Sequence, residues 1–258
     1  MKPTQKDIRN CFLCVILFLT KTGTGNAQIT DVLPQLLQEF FISETVFAQE
    51  KKELQATVRP AYWKHKQFSS VQMPLLLEYG FTNRLQVEVT VPFQLHSSGE
   101  EQQKYERTNF EAGVLYNILK SNKPFALSAG LEIDWPNAKS QKDNGEVEDG
   151  IGWEPFLTLA RQFGRTQVHA NLVAEIRDKE TEFAYAFATA TSFGKWLATV
   201  EINATFQNNK TTSVIPGVIW KGMDDAEFGL GISKSKNEWG ILLMATYEFS
   251  LGKKSSVK

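Results

Sequence analysis

Between Arg84 and His96 the odd positions read Leu85, Val87, Val89, Val91, Phe93 and Leu95, while the even ones read Gln86, Glu88, Thr90, Pro92, Gln94 and His96. A period of two gives a strand with one apolar and one polar face. About a dozen such segments follow one another from Glu53 to Leu251, and Glu recurs on their polar faces where the core of a soluble sandwich would be apolar. The simplest container is a barrel standing in lipid, apolar face outward and polar face toward a wet lumen. The fold class expected is therefore all-β, a transmembrane antiparallel up-and-down barrel.

Alternation and turn residues predict strands over Glu53–Lys64, Phe68–Gly80, Arg84–His96, Thr108–Leu119, Phe125–Trp135, Ile151–Phe163, Thr166–Arg177, Glu182–Phe193, Trp196–Gln207, Thr211–Trp220, Ala226–Ser233 and Glu238–Leu251. Twelve is even, as closed bacterial barrels require. Compact connections such as Phe81-Thr82-Asn83, Gly164-Arg165 and Gly194-Lys195 alternate with more polar ones that include the long Ser97–Arg107 and Pro136–Gly150. Short periplasmic turns and longer outer loops explain that alternation, with both termini on the periplasmic side. Aromatics gather at two levels. Tyr79, Phe81, Phe163, Phe193, Trp196 and Trp220 fall at the short-turn ends, and Tyr62, Phe110, Trp135, Trp153 and Trp239 at the other, as interfacial girdles would.

Upstream of the barrel, Val32, Leu33, Leu36, Leu37, Phe40 and Phe41 recur at helical spacing behind Thr30-Asp31. This predicts a short helix in a periplasmic leader spanning residues 28–52, at the barrel mouth or on the membrane surface. Residues 1–27 read as a cleaved signal peptide: Lys2, Lys6 and Arg9, then the apolar run Cys11 to Leu19, then Gly25-Asn26-Ala27. Both cysteines, Cys11 and Cys14, lie in it, and Leu13 stands where lipid attachment at Cys14 wants a small residue. The exported chain then has no thiol for a disulfide, a metal site or a nucleophile. Residues 252–258 form a polar C-terminal tail.

Composition changes this picture little. The mean hydropathy of -0.28 argues against helical spans but not against a barrel, whose wet face averages the value down. Loss of residues 1–27 removes four bases and one acid, taking the formal charge from -1 to -4. A mildly acidic exported protein has no electrostatic case for nucleic acid. The expected partners are outer-membrane lipids, a small solute and the barrel assembly machinery; no cofactor is expected.

The stretch Leu77 to Phe93, with Glu78-Tyr79-Gly80-Phe81-Thr82-Asn83-Arg84 at its turn, resembles the most recognisable hairpin of the bacterial outer-membrane barrel family labelled for the MetA pathway of phenol degradation. Phe110-Glu111-Ala112-Gly113, Leu127 to Glu132 and Phe228-Gly229-Leu230-Gly231 are similar to that family too. The resemblance spans most of residues 53–251 and implies a transporter of small, including aromatic, compounds. It brings no catalytic residue. The chain departs from the common barrel ending, since Tyr247-Glu248-Phe249 is followed by residues up to Lys258.

With the polar faces inward, the candidate pore-lining residues are Glu88 and Glu201 near mid-barrel, Arg59, and Glu111, Glu132, Asp134, Glu154, Glu175, His169 and Arg177. Such carboxylates would concentrate cations and repel anions; alternatively they are hydrogen-bonded partners in a filled interior. Twelve strands lie between the eight-stranded barrel filled by its own side chains and the open sixteen-stranded porin, so a narrow, partly filled passage is expected.

Other chemistries are poorly served. His96 beside Ser97-Ser98 invites a hydrolase reading, but adjacent strand residues point to opposite faces. His169 has no second His or thiolate at ligand spacing, so a lumen hydrogen-bond partner is the plainer role. The acidic stretch Asp143–Asp149 lacks the spacing of a calcium loop. Gly113, Gly130, Gly217, Gly229 and Gly231 suit close packing and barrel bending. The function expected is a narrow channel or passive uptake pore. A non-transporting structural or surface-interaction barrel is the alternative, and an outer-membrane hydrolase a remote one.

Overall fold

A computed structural model describes residues 35–66, 68–99, 109–119, 125–136, 140–141, 147–148, 150–177, 180–205, 212–223 and 225–251. The signal segment, residues 28–34 at the leader's start, the bulk of the two long loops with Asp143, Asn144, Gly145, Glu146 and Asp149, and the tail beyond residue 251 lie outside the described residues, as do the side chains of His96, Ser97 and Ser98.

Twelve antiparallel strands close into one barrel. They are β1 (Glu53–Val58 and Ala61–His65), β2 (Phe68–Gln72 and Leu75–Thr82), β3 (Leu85–Val91 and Gln94–Gly99), β4 (Asn109–Leu119), β5 (Phe125–Pro136), β6 (Gly152–Phe163), β7 (Thr166–Arg177), β8 (Glu180–Phe193), β9 (Trp196–Thr205), β10 (Thr212–Met223), β11 (Ala226–Lys234) and β12 (Glu238–Ser250). Each pairs with its sequence neighbour, and β1 closes the ring on β12, with Glu53 opposite Ser250 and Val58 opposite Ala245. A closed ring leaves no edge unpaired, which hydrocarbon demands. Beyond it, Ser140–Gln141 and Val147–Glu148 pair within the loop after β5.

Prolines account for the divided strands. Pro60, Pro74 and Pro92 carry no N–H to donate to a ladder, and they interrupt three adjacent strands. Neighbouring groups bridge the break: Arg59 N–H donates to Pro74 O at 3.0 Å, Met73 N–H to Phe93 O at 2.7 Å and Leu243 N–H to Pro60 O at 2.8 Å. Two hairpins, β6–β7 and β8–β9, turn on two residues each, with Gly164 and Gly194 at φ of 60° and 69°. Glycine in the first central position is what a type II′ turn needs.

The outer face is apolar all round. Val114, Leu157, Leu172, Val200, Leu230 and Leu243 are among its exposed side chains, and a belt of that extent has no place in water. Aromatics mark both rims: Trp196, Trp220 and Phe228 stand in a row at the short-turn end, with centroids 6.2 and 6.0 Å apart, while Tyr62–Trp239 and Phe110–Trp135 pair at the long-loop end.

Two expectations need correction. Residues 35–50 form no helix; the spacing of Leu36, Leu37, Phe40 and Phe41 serves an irregular chain that enters the lumen. The inward face is also not polar throughout. On β8 it is Ala184, Ala186, Ala188 and Ala190, on β10 Ile215 and Ile219, and on β12 Leu242 and Met244. A pattern with apolar residues on both faces gives no inward polarity to read, and here the inward set packs against the leader.

The lipid face can be tested directly. Val200→Arg, at mid-height on the outer face of β9, is expected to cost about 2–4 kcal/mol, whereas the lumen-facing Thr90→Gln, which keeps a polar group toward Glu111, costs less. Urea titration of refolding into liposomes would measure both, and equal costs would mean that the register is wrong.

Candidate functional site

The leader enters from the short-turn end, rises to mid-barrel and returns. At Leu36 its carbonyl accepts from Lys221 Nζ at 2.9 Å, and Gln38 N–H donates to Glu227 at 3.0 Å. It reaches mid-height where Asn171 Nδ2 donates to Glu44 O at 3.0 Å. Ser128 Oγ then donates to Val46 O, and by Gln49, whose N–H donates to Gln86 at 2.9 Å, the chain is back at the rim where β1 begins.

An irregular segment has backbone groups that no helix or ladder satisfies, and buried ones must find partners. Glu201 alone serves three consecutive amides. Its Oε1 accepts from Phe41 N–H at 2.8 Å, and its Oε2 from Ile42 and Ser43 N–H at 3.0 and 2.8 Å. Side-chain packing completes the seat. Phe41 occupies a slot floored by glycine: a Cβ on Gly217 would lie 2.4 Å from its ring, one on Gly229 2.9 Å and one on Gly231 3.2 Å. Leu37, Phe40 and Phe41 join Ala188, Leu197, Ile215 and Met244 in one buried cluster. The short-turn half of the lumen is thus filled by a plug.

Between the plug and the long-loop end lies a cavity of about 610 Å3, floored by Phe41, Ile42, Ser43 and Glu44. Its walls differ. Glu111, Glu132 and Glu154, on neighbouring strands β4, β5 and β6, form one side; on the other, Ala61, Trp63 and Leu242 of β1 and β12 make an apolar strip, separated from Ala184 and Ala186 of β8 by Asn203, Thr205 and Ser213. Beside its floor a second cavity of about 60 Å3 separates plug from wall, lined by Glu39, Glu44, Glu78, Glu88, Glu111 and Glu132 with Arg59. Six carboxylates face one guanidinium there. Arg59 holds Glu39 at 2.6 Å, Gln55 and Gln86 both donate to Glu78, and Gln86 donates to Glu88 at 2.9 Å. Burial raises the two leader carboxyls: Glu44 stands well above the usual range, with the charges of Glu88 and Glu39 adding, and Glu39 is raised despite Arg59. Among the described residues no group of three or more His, Cys, Asp or Glu is arranged to hold a metal ion.

The ten candidate lumen residues therefore separate into three sets. Glu88, Arg59, Glu111, Glu132 and Glu154 come together around the two cavities. Asp134, Glu175 and Arg177 form an ion-pair group nearer the long-loop rim, where Arg177 bonds Asp134, reaches Glu175 at 3.4 Å and donates to Gly150 O at 3.1 Å. Glu201 and His169 line neither cavity. Glu201 anchors the plug, and His169 is buried against Phe40 at 4.9 Å between ring centroids with Nε2 2.9 Å from Gln167. Sequence reading missed Glu39, Glu44 and the Phe41 slot; the signal available was a cluster of apolar residues upstream of strands carrying Gly217, Gly229 and Gly231.

No family model and no curated protein matches the chain. Solved structures do. An outer-membrane channel from Pseudomonas putida F1 superposes with a TM-score of 0.60 at 12% identity over 79% of this chain and 98% of that one. The KdgM porin gives 0.57 at 10% over 75% and 99%, and the NanC porin 0.54 at 8% over 74% and 98%. The fold is that of the outer-membrane porin barrels. At such identities the likeness concerns backbone architecture, and the plug and its partners are read from this chain's own residues.

Two substitutions probe the seat of the plug. Gly217→Val places a side chain where the Phe41 ring lies and is expected to weaken docking by about 1–3 kcal/mol. Glu201→Gln removes a charge-assisted acceptor shared by three amides, worth about 1.5–3 kcal/mol. Both should make the leader sensitive to protease in detergent while the barrel keeps its heat-modifiable gel mobility. Unchanged resistance in both would show that the leader is held by other contacts.

Proposed function

We propose that the chain is an outer-membrane channel, exported by a cleaved signal peptide and folded by the barrel assembly machinery, that passes small solutes passively with a preference for cations over anions. The observation that carries this reading is the acidic vestibule above a plug held by side-chain contacts. Glu111, Glu132, Glu154 and Glu88 outnumber Arg59 where the lumen is narrowed by Glu44, and fixed charge in a constriction is least screened by bulk solvent. The porin likeness and the apolar belt support the location, with the short-turn end periplasmic. The KdgM porin has been solved with disordered oligogalacturonate; an acid-bearing chain of that kind would be repelled by this vestibule. The resemblance of the hairpin at Leu77 to Phe93 to the family labelled for the MetA pathway of phenol degradation supports small aromatic solutes.

The filled short-turn half favours a second reading, a structural barrel that passes nothing. Planar-bilayer recording decides between them. Intact protein is expected to give small conductance, and protein lacking residues 28–50, or carrying Gly217→Val, a several-fold larger one. Reversal potentials should favour cations, and Glu111→Gln with Glu132→Gln and Glu154→Gln should lower that preference. Silence from both plug variants, with folded barrels, would establish the structural reading; anion preference would overturn the proposed selectivity.

A further inference from the structure

The vestibule is more differentiated than passage of small ions requires. Its volume of about 610 Å3 is that of a small-molecule site. A lumen that only conducts ions gains nothing from an apolar wall, which costs free energy to wet. Here that wall includes an aromatic ring fixed in place. Trp63, half-buried on the inner face of β1, lies across Gly240 of β12, where a Cβ would meet the ring at 2.5 Å. Leu242 and Ala61 extend the same surface, and Ala184 and Ala186 line the cavity farther round, past Asn203, Thr205 and Ser213.

Across the cavity stand Glu111, Glu132 and Glu154, with Glu44 on the floor and Arg59 as the one base among the lining residues. A further polar feature points the same way. Asn171 lines the cavity at 5% exposure; its Nδ2 is used by Glu44 O and Thr158 Oγ1, while its Oδ1 has no hydrogen-bond partner. A buried acceptor without a donor is costly, and an N–H-bearing ligand would satisfy it once the amide turns toward the cavity. The carboxylates ask for a cation rich in N–H; the strip of Trp63, Ala61 and Leu242 asks for an apolar body.

We propose that the vestibule is a binding site for organic ammonium ions with a hydrophobic or aromatic body, the ammonium directed to Glu111, Glu132 and Glu154 and the body lying against Trp63 and Leu242. This rests on the lumen being reached by solutes, as the proposed channel requires, but not on transport itself.

Calorimetric titration of the full barrel in detergent at low salt, with four probes, tests it independently of conductance. Phenethylamine carries both features, phenethyl alcohol and phenylacetate replace the cation by a neutral group and an anion, and methylammonium lacks the body. Phenethylamine is expected to bind at least tenfold more tightly than each of the other three. Glu132→Gln with Glu154→Gln should remove that advantage over phenethyl alcohol, and Trp63→Leu the advantage over methylammonium, with folding of each variant followed by heat-modifiable mobility. Equal binding of phenethylamine and methylammonium would reduce the vestibule to a plain cation trap. Equal binding of phenethyl alcohol, tighter binding of phenylacetate, or no binding of phenethylamine to the intact protein would overturn the proposal. Cation-selective conductance without amine binding would leave the channel standing and remove this site alone.

Discussion

A ring of twelve strands encloses more space than its own inward side chains can fill, and the rest of this structure follows from that surplus. Either water or another part of the chain must occupy it. At the short-turn end the leader does so, and because it runs without helix or ladder, its backbone must be satisfied by side chains from the wall. Glu201 takes three consecutive amides, Glu227 and Gln86 take one each, and Asn171, Ser128 and Lys221 serve carbonyls. Several inward polar residues of a barrel that faces lipid are thus partners for a backbone.

The wall contributes in two chemically distinct halves. From β8 round to β12 the lumen face is small and apolar where Phe41 packs, with glycines at its closest approach, and Glu201, Lys221 and Glu227 interrupt it to hold the leader's backbone. From β2 to β7 the face is largely polar and rich in Glu, while Ala61 and Trp63 of β1 continue the apolar strip of β12. Where the leader meets that half, carboxylates are crowded around Arg59 and the amides of Gln55 and Gln86 rather than buried against hydrocarbon, which limits the cost of confining charge. The division persists above the plug, where nothing covers the two halves and they face each other across the vestibule.

The barrel itself was legible from residues alone because its cause is local. Alternation with period two locates a strand, and positions such as Gly164 and Gly194 locate its turns, whatever lies elsewhere in the chain. Thr166–Arg177 is matched end for end, and the remaining strands differ by a few residues at their ends or are divided at Pro60, Pro74 and Pro92. The inward placement of Glu88, Glu111, Glu132 and Glu154 was equally legible, since a charged face opposite an apolar one has one stable orientation in lipid.

The sequence by itself determined the strands, their number, the lipid-facing register and the acidic side of the lumen, all of which depend on contrasts between adjacent residues. Only the tertiary structure decided what fills the barrel. Leu37, Phe40 and Phe41 carry a spacing compatible with a helix, and nothing within the leader reveals that a glycine-floored slot on β10 and β11, nearly two hundred residues away, will take the Phe41 ring. The same holds for Glu201 and His169, whose polarity shows that they point inward but not whether they meet water or the leader's backbone and rings. Such roles arise from surfaces that meet only after the ring has closed.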